Sequence, residues 1–163
     1  MLENILKKKV IIVGLGNTMK GDDGAGPLLV GMLKDKTETP CINAGVSPEN
    51  YVGKIAGENP QAVLLVDAAD MGMSPGKWRI LMPEEIAKTG FTTHDLSPGI
   101  FMTYLRSRIN ADIYLLGIQP ENVSMGAVMS GRVKKAICDI AERIKEVLNA
   151  RDASYKANNN GDI

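Results

Sequence analysis

Three polar features interrupt the apolar pattern of this sequence: the glycine-flanked acids of Gly21-Asp22-Asp23-Gly24, Asp67 directly after Ala62-Val63-Leu64-Leu65-Val66, and His94 in Thr92-Thr93-His94-Asp95. His94 is the only histidine in the chain. Carboxylate oxygens with an imidazole nitrogen suit a borderline divalent ion such as nickel. Two carboxylates and one imidazole leave that shell incomplete, so the set fits a metal brought by a partner as well as one held permanently. Each feature also has a plainer role. Asp22 or Asp23 can cap a helix, Asp67 can end a strand by accepting backbone N–H bonds, and a lone histidine is more often solvated than a ligand. Two adjacent acids between glycines exceed what capping needs, and glycine leaves room for another molecule to approach. Asp70 is a second rim acid, further into the loop.

Other chemistries fit less well. Gly14-Leu15-Gly16 opens like a dinucleotide fingerprint, but Met19 stands where its third glycine belongs. Asp22 and Asp23 would also repel a pyrophosphate at the helix start. A nucleotide-binding module is therefore the weaker alternative. No Ser-His-Asp arrangement and no His-Glu-x-x-His motif supports a familiar protease mechanism. Cys41 and Cys138 lack zinc-site spacing and are too few for a disulfide scaffold, so they read as two reduced thiols.

The elements that must position these residues alternate between strand and helix. Val10–Val13, Cys41–Ala44, Ala62–Asp67 and Ile113–Ile118 read as strands, the last two apolar enough to be buried on both faces. Trp78–Leu81 reads as an edge or antiparallel strand. Ala25, Leu28, Leu29, Met32 and Leu33 recur along one helical face, with Pro27 in the first turn. Ser47-Pro48 starts a second helix with a hydroxyl cap. A third, capped at Ser97-Pro98, is expected to bury Ile100, Phe101, Tyr104 and Leu105; a fourth, Val133, Ile137, Ile140, Ala141, Ile144 and Leu148. This pattern predicts an α/β fold with a mostly parallel sheet covered by helices on both faces. Sites on such sheets gather beyond the carboxyl ends of the strands, where the three polar features fall.

At 163 residues the chain suits one domain over 1–151, with a polar, disordered tail over 152–163. Such a chain buries about 70% of its unfolded surface without staples. Lys plus Arg and Asp plus Glu both number 19, which gives no basic surplus for nucleic acid. No apolar run approaches membrane-spanning length, and the N-terminal lysines follow rather than precede the apolar residues, so a membrane span or a secretory leader is not expected. A cytoplasmic protein is the expectation.

Gly14-Leu15-Gly16-Asn17, Gly21-Asp22-Asp23-Gly24-Ala25-Gly26, Leu65-Val66-Asp67-Ala68 and Thr93-His94 together resemble the hydrogenase maturation endopeptidase family. Val46-Ser47-Pro48-Glu49-Asn50, Asp70-Met71-Gly72 and Leu116-Gly117-Ile118-Gln119-Pro120 are similar to its formate-hydrogenlyase-type branch. The resemblance runs from about Val10 to Leu148, with the motifs in the same order. It implies a doubly wound α/β fold with a five-stranded sheet, and cleavage of a C-terminal extension from a nickel–iron hydrogenase large-subunit precursor after nickel insertion. It further implies that Asp23, Asp67 and His94 contact nickel carried by that substrate, and that no cofactor is permanently bound. Two routes to hydrolysis stay open: the metal polarises the carbonyl or activates water, or an acid such as Asp23 acts as base. Peptidyl-tRNA hydrolases share the Gly-Leu-Gly-Asn opening, but place a histidine soon after it and favour basic surfaces.

Overall fold

A computed structural model describes residues 1–89 and 97–159. The chain opens with the short helix α1 (Leu2–Leu6), whose Leu2, Ile5 and Leu6 are buried. Five strands follow: β1 (Val10–Leu15), β2 (Cys41–Gly45), β3 (Ala62–Ala68), β4 (Trp78–Leu81) and β5 (Asp112–Ile118). The remaining helices are α2 (Ala25–Leu33), α3 (Val52–Gly57), α4 (Pro83–Thr89), α5 (Pro98–Arg108) and α6 (Gly131–Asn159).

The sheet order is β2-β1-β3-β5-β4, parallel except for edge strand β4, which runs antiparallel to β5. This is the doubly wound, mostly parallel five-stranded sheet that the sequence predicts, antiparallel edge included. Strand residues alternate between two cores. Val10, Ile12, Leu64 and Val66 join α1, α2 and α6; Ile11, Val13, Val63 and Leu65 join residues of α3, α4 and α5. The alternation is the period of two of a strand, here buried on both sides.

Connectivity fixes where a site can form. The chain leaves β1 through α2 to reach β2 on one side, then returns through α3 to β3 on the other. The C-terminal ends of β1 and β3 therefore flank the topological switch point, the usual crevice of open α/β sheets. Helix α2 begins directly over it, because a Cβ on Gly26 would collide with the carbonyls of both Leu15 and Val66. Only glycine lets the helix sit so close.

Four expectations need correction. In α5, Phe101 and Leu105 are buried as predicted, but Ile100 is 60% exposed and Tyr104 39%. The inward stripe is Pro98, Phe101, Met102 and Leu105, which puts Ile100 and Tyr104 off the contact face. Ser97 precedes α5 without a side-chain capping bond. Ser47 likewise makes no cap; Pro48–Tyr51 forms a short 3-10 turn leading into α3. Finally, the predicted disordered tail is helical through Asn159. Arg151 anchors α6 by donating to the carbonyls of Leu6 and Lys8 and to Thr39 Oγ1, and Lys156 pairs with Glu38. Residues 160–163 lie outside the described residues.

Candidate active site

The turn after β1 carries the two adjacent acids, and the structure gives them different work. Gly21–Gly24 forms a single 3-10 turn before α2. Asp22 is fully buried. Its Oδ2 accepts from the backbone N–H groups of Glu121 (2.8 Å) and Asn122 (2.9 Å) and from Ser130 Oγ (2.7 Å), while Oδ1 accepts from Ser130 N–H (2.7 Å). Its own N–H donates to the Asn122 carbonyl at 2.9 Å. Burial acts to raise its pKa, but the Ser130 hydroxyl and the three N–H donors outweigh burial and hold the carboxyl below its ordinary value. Asp22 thus ties the acidic turn to the loop between β5 and α6. It caps no helix.

Asp23 points elsewhere. It is partly exposed, and its Oδ2 accepts the Asn17 N–H at 2.9 Å. Asn17 Oδ1 in turn accepts the Met19 N–H, closing a local turn. Gly16 brings this turn against the end of β3. At φ +128° it is in a region open mainly to glycine, and a Cβ there would strike the Asp23 carbonyl and lie 3.5 Å from Asp67 Oδ1.

Asp67 is the last residue but one of the buried strand β3, opposite Gly117 in the register. Only 7% of it is exposed. Burial first, and then the charge of Asp23, push its carboxyl well above the usual carboxylate range, against the Ala68 N–H, which lowers it. A desolvated acid beside a second acid at a switch point makes Asp67 a candidate functional carboxylate. A cation between the two would reverse both effects, by supplying opposite charge to each.

The structure therefore brings Asp23 and Asp67 together. His94 and Asp95 lie outside the described residues, and among the described residues no group of three or more His, Cys, Asp or Glu could hold a metal ion. Asp70, the other rim acid, belongs to loop architecture. It accepts the Gly72 N–H and the Gln119 amide, which hold its carboxyl below the ordinary value, the amide contributing most. Gln119 entered the sequence analysis only as part of the Leu116–Pro120 motif, with no role; it is a buried amide that grips the loop after β3 by accepting the N–H groups of Met71 (2.7 Å) and Met73 (3.2 Å). A polar side chain one residue beyond a buried strand was its only local signal.

Fold and site define the class: a doubly wound α/β domain with a carboxylate pair at its switch point. A family model for hydrogenase maturation protease matches residues 27–147, a span that includes Asp67 and begins just beyond Asp23. The Hydrogenase 3 maturation protease of Escherichia coli K12 is 36% identical over 138 residues, covering 83% of this chain and 88% of that protein. The crystal structure of the [NiFe] hydrogenase maturation protease HycI from Thermococcus kodakarensis superposes with a TM-score of 0.83 at 34% identity, covering 91% of this chain and 98% of that one. The solution structure of the endopeptidase HycI from Escherichia coli gives 0.74 at 33%, covering 84% and 89%. The chain belongs to the hydrogenase maturation protease family, and it is an endopeptidase.

Proposed function

We propose that this endopeptidase removes the C-terminal extension of a nickel–iron hydrogenase large-subunit precursor after nickel insertion, and that it selects the loaded precursor through the metal. The observation that carries the reading is the buried Asp67 carboxyl, held next to Asp23 at the switch point with its pKa raised. Without a cation, burial and the charge of Asp23 favour the protonated form of Asp67. Nickel on the substrate displaces that proton, takes both carboxylates as ligands, and fixes the scissile segment beside them. An empty precursor offers no charge to offset the burial of Asp67, so it binds less well. His94 completes the ligand set on the strength of the sequence resemblance. Asp23, with one oxygen held by the Asn17 N–H, is the group suited to take a proton from the attacking water. Nickel here is substrate cargo, and no resident cofactor is required.

The enzyme acts in the cytosol in this reading, in keeping with the free thiols of Cys41 and Cys138. Among the described residues no helix is long and apolar enough to cross a membrane. The test is incubation with nickel-loaded and nickel-free precursor, followed by mass measurement. Loss of a C-terminal peptide from the loaded precursor alone is expected, and Asp23→Asn and His94→Ala should each leave it intact. Equal cleavage of nickel-free precursor would overturn metal-based selection.

A further inference from the structure

Four apolar side chains around the acidic turn face solvent: Met19 (67% exposed), Val123 (41%), Met125 (66%) and Val128 (86%). They come from two segments that are bonded together. The Gly126 N–H donates to the Met19 carbonyl at 2.8 Å, and Asp22 ties Glu121, Asn122 and Ser130 to the turn. Ala127 packs against Gly21, where an added Cβ would lie 3.1 Å from it. From Gln119 to Ser130 the loop carries one charged residue, Glu121. Exposed loops are ordinarily polar, and a contiguous apolar patch marks an interaction surface.

We infer that the β5–α6 loop, with Met19, is a docking platform for an apolar surface on the body of the precursor protein, beside its scissile segment. The inference rests on the functional reading above and adds the surface that holds the substrate outside the metal. Continuity with the site identifies the occupant. Asp22 and Asp23 are neighbours in one turn, and Asp22 and the Met19 carbonyl are both bonded to the loop, so the platform is fixed relative to the reacting carboxylates and adjoins a substrate that reaches Asp23. The near absence of charge selects an apolar contact, and two methionines supply flexible side chains that adapt to it.

The experiment measures kcat and KM for cleavage of purified nickel-loaded precursor. The double variant Met125→Asp/Val128→Asp should raise KM about tenfold or more while kcat stays within about twofold, the pattern of lost uniform binding. Val128→Ser, a milder change at an exposed position, should raise KM by about threefold and carries the test if the double variant does not fold. Tyr155→Asp makes the same kind of change at the far end of α6, on a residue 62% exposed, and should leave KM unaltered. Unchanged KM in both platform variants, or an equal rise with Tyr155→Asp, overturns the platform while cleavage by the wild type keeps the functional reading intact. So would sedimentation showing a dimer that Val128→Ser dissociates. A wild-type enzyme that leaves the precursor uncut overturns the functional reading, and the platform with it.

Discussion

Asp22 and Asp67 invite comparison, since both are aspartates sealed from solvent at the same end of the sheet, 0% and 7% exposed. Their surroundings differ in donors, in neighbouring charge and in desolvation. Asp22 accepts from three backbone N–H groups and a hydroxyl, so its negative charge is spread over four donors. Asp67 has the Ala68 N–H and a neighbouring acid. Burial acts against the charge of both, most strongly at Asp67, and the carboxyl of Asp22 is held below its ordinary value while that of Asp67 is driven above it. Stronger desolvation, the neighbouring charge of Asp23 and fewer hydrogen-bond donors together set Asp67 apart from Asp22, the acid that fastens a loop.

The largest expected effect breaks function without breaking structure. Asp67→Asn keeps the shape of the side chain and removes its charge, so cleavage of nickel-loaded precursor should fall at least about a hundredfold, beyond what outer-shell changes at metal sites cost. Its unfolding midpoint near neutral pH should not decrease. Activity within tenfold of wild type would remove Asp67 from the functional side of the contrast.

Asp22→Ala should do the reverse. It strands the N–H groups of Glu121, Asn122 and Ser130 beside a cavity, and urea denaturation should show a loss of about 3 kcal/mol. Because the β5–α6 loop then loosens, KM for the precursor should rise more than kcat falls. A loss below about 1 kcal/mol would mean the four bonds contribute little beyond what water supplies.

The pH dependence of stability sharpens the contrast, because the signs are opposite. Asp67 has a raised pKa in the folded state. Below the ordinary carboxylate range both folded and unfolded chains hold its proton. As pH rises from there, the unfolded chain ionises first, so stability is lost until the folded pKa is passed. Asp67→Asn should therefore stabilise the free protein near neutral pH, the gain vanishing under acid conditions. Asp22 has a lowered folded pKa, so its contribution is present above the ordinary carboxylate range and lost as pH falls through the folded value. Asp22→Asn should flatten the acid limb of the stability curve. Denaturation series across pH, run on both variants, would show two slopes of opposite sign.

Much of this arrangement was legible in the sequence wherever the signal was local. Continuous apolar runs marked β3 and β5, and Trp78–Leu81 read as an edge strand because it is short and mixed. All six residues assigned to the buried face of α6 are buried. Asp67 stood out by ending an apolar run, and the glycines around Asp22 and Asp23 announced a tight turn. What distinguishes Asp22 from Asp23 was not legible, because its partners lie about a hundred residues away in a loop with no pattern of its own. Helix α1 was too short for its apolar spacing to register. The end of α6 misled for the opposite reason. Polar composition looked like disorder, while the residues that extend the helix are good helix formers, Arg151, Ala153, Lys156 and Ala157 among them.

The smallest effect is expected at Asp152, a third acid that tests whether partial burial alone matters. Its side chain is 15% exposed and lies at the other end of the sheet, where Arg151 donates to its Oδ1 from Nε at 2.8 Å. Asp152 Oδ2 has no hydrogen-bond partner among the described residues. Arg151 does not depend on this pair for its position, since it also donates to the carbonyls of Leu6 and Lys8 at 3.1 Å and to Thr39 Oγ1 at 3.0 Å. Asp152→Asn keeps an oxygen for Arg151 and puts an amide where Oδ2 had no partner. The lost Coulomb attraction and the reduced desolvation cost then oppose each other, and stability should change by less than about 1 kcal/mol in either direction. Cleavage should be unaffected, because neither Asp23 nor the platform loop is touched. A loss as large as that of Asp22→Ala would mean that burial, and not the number of donors, decides what an acid in this fold is worth.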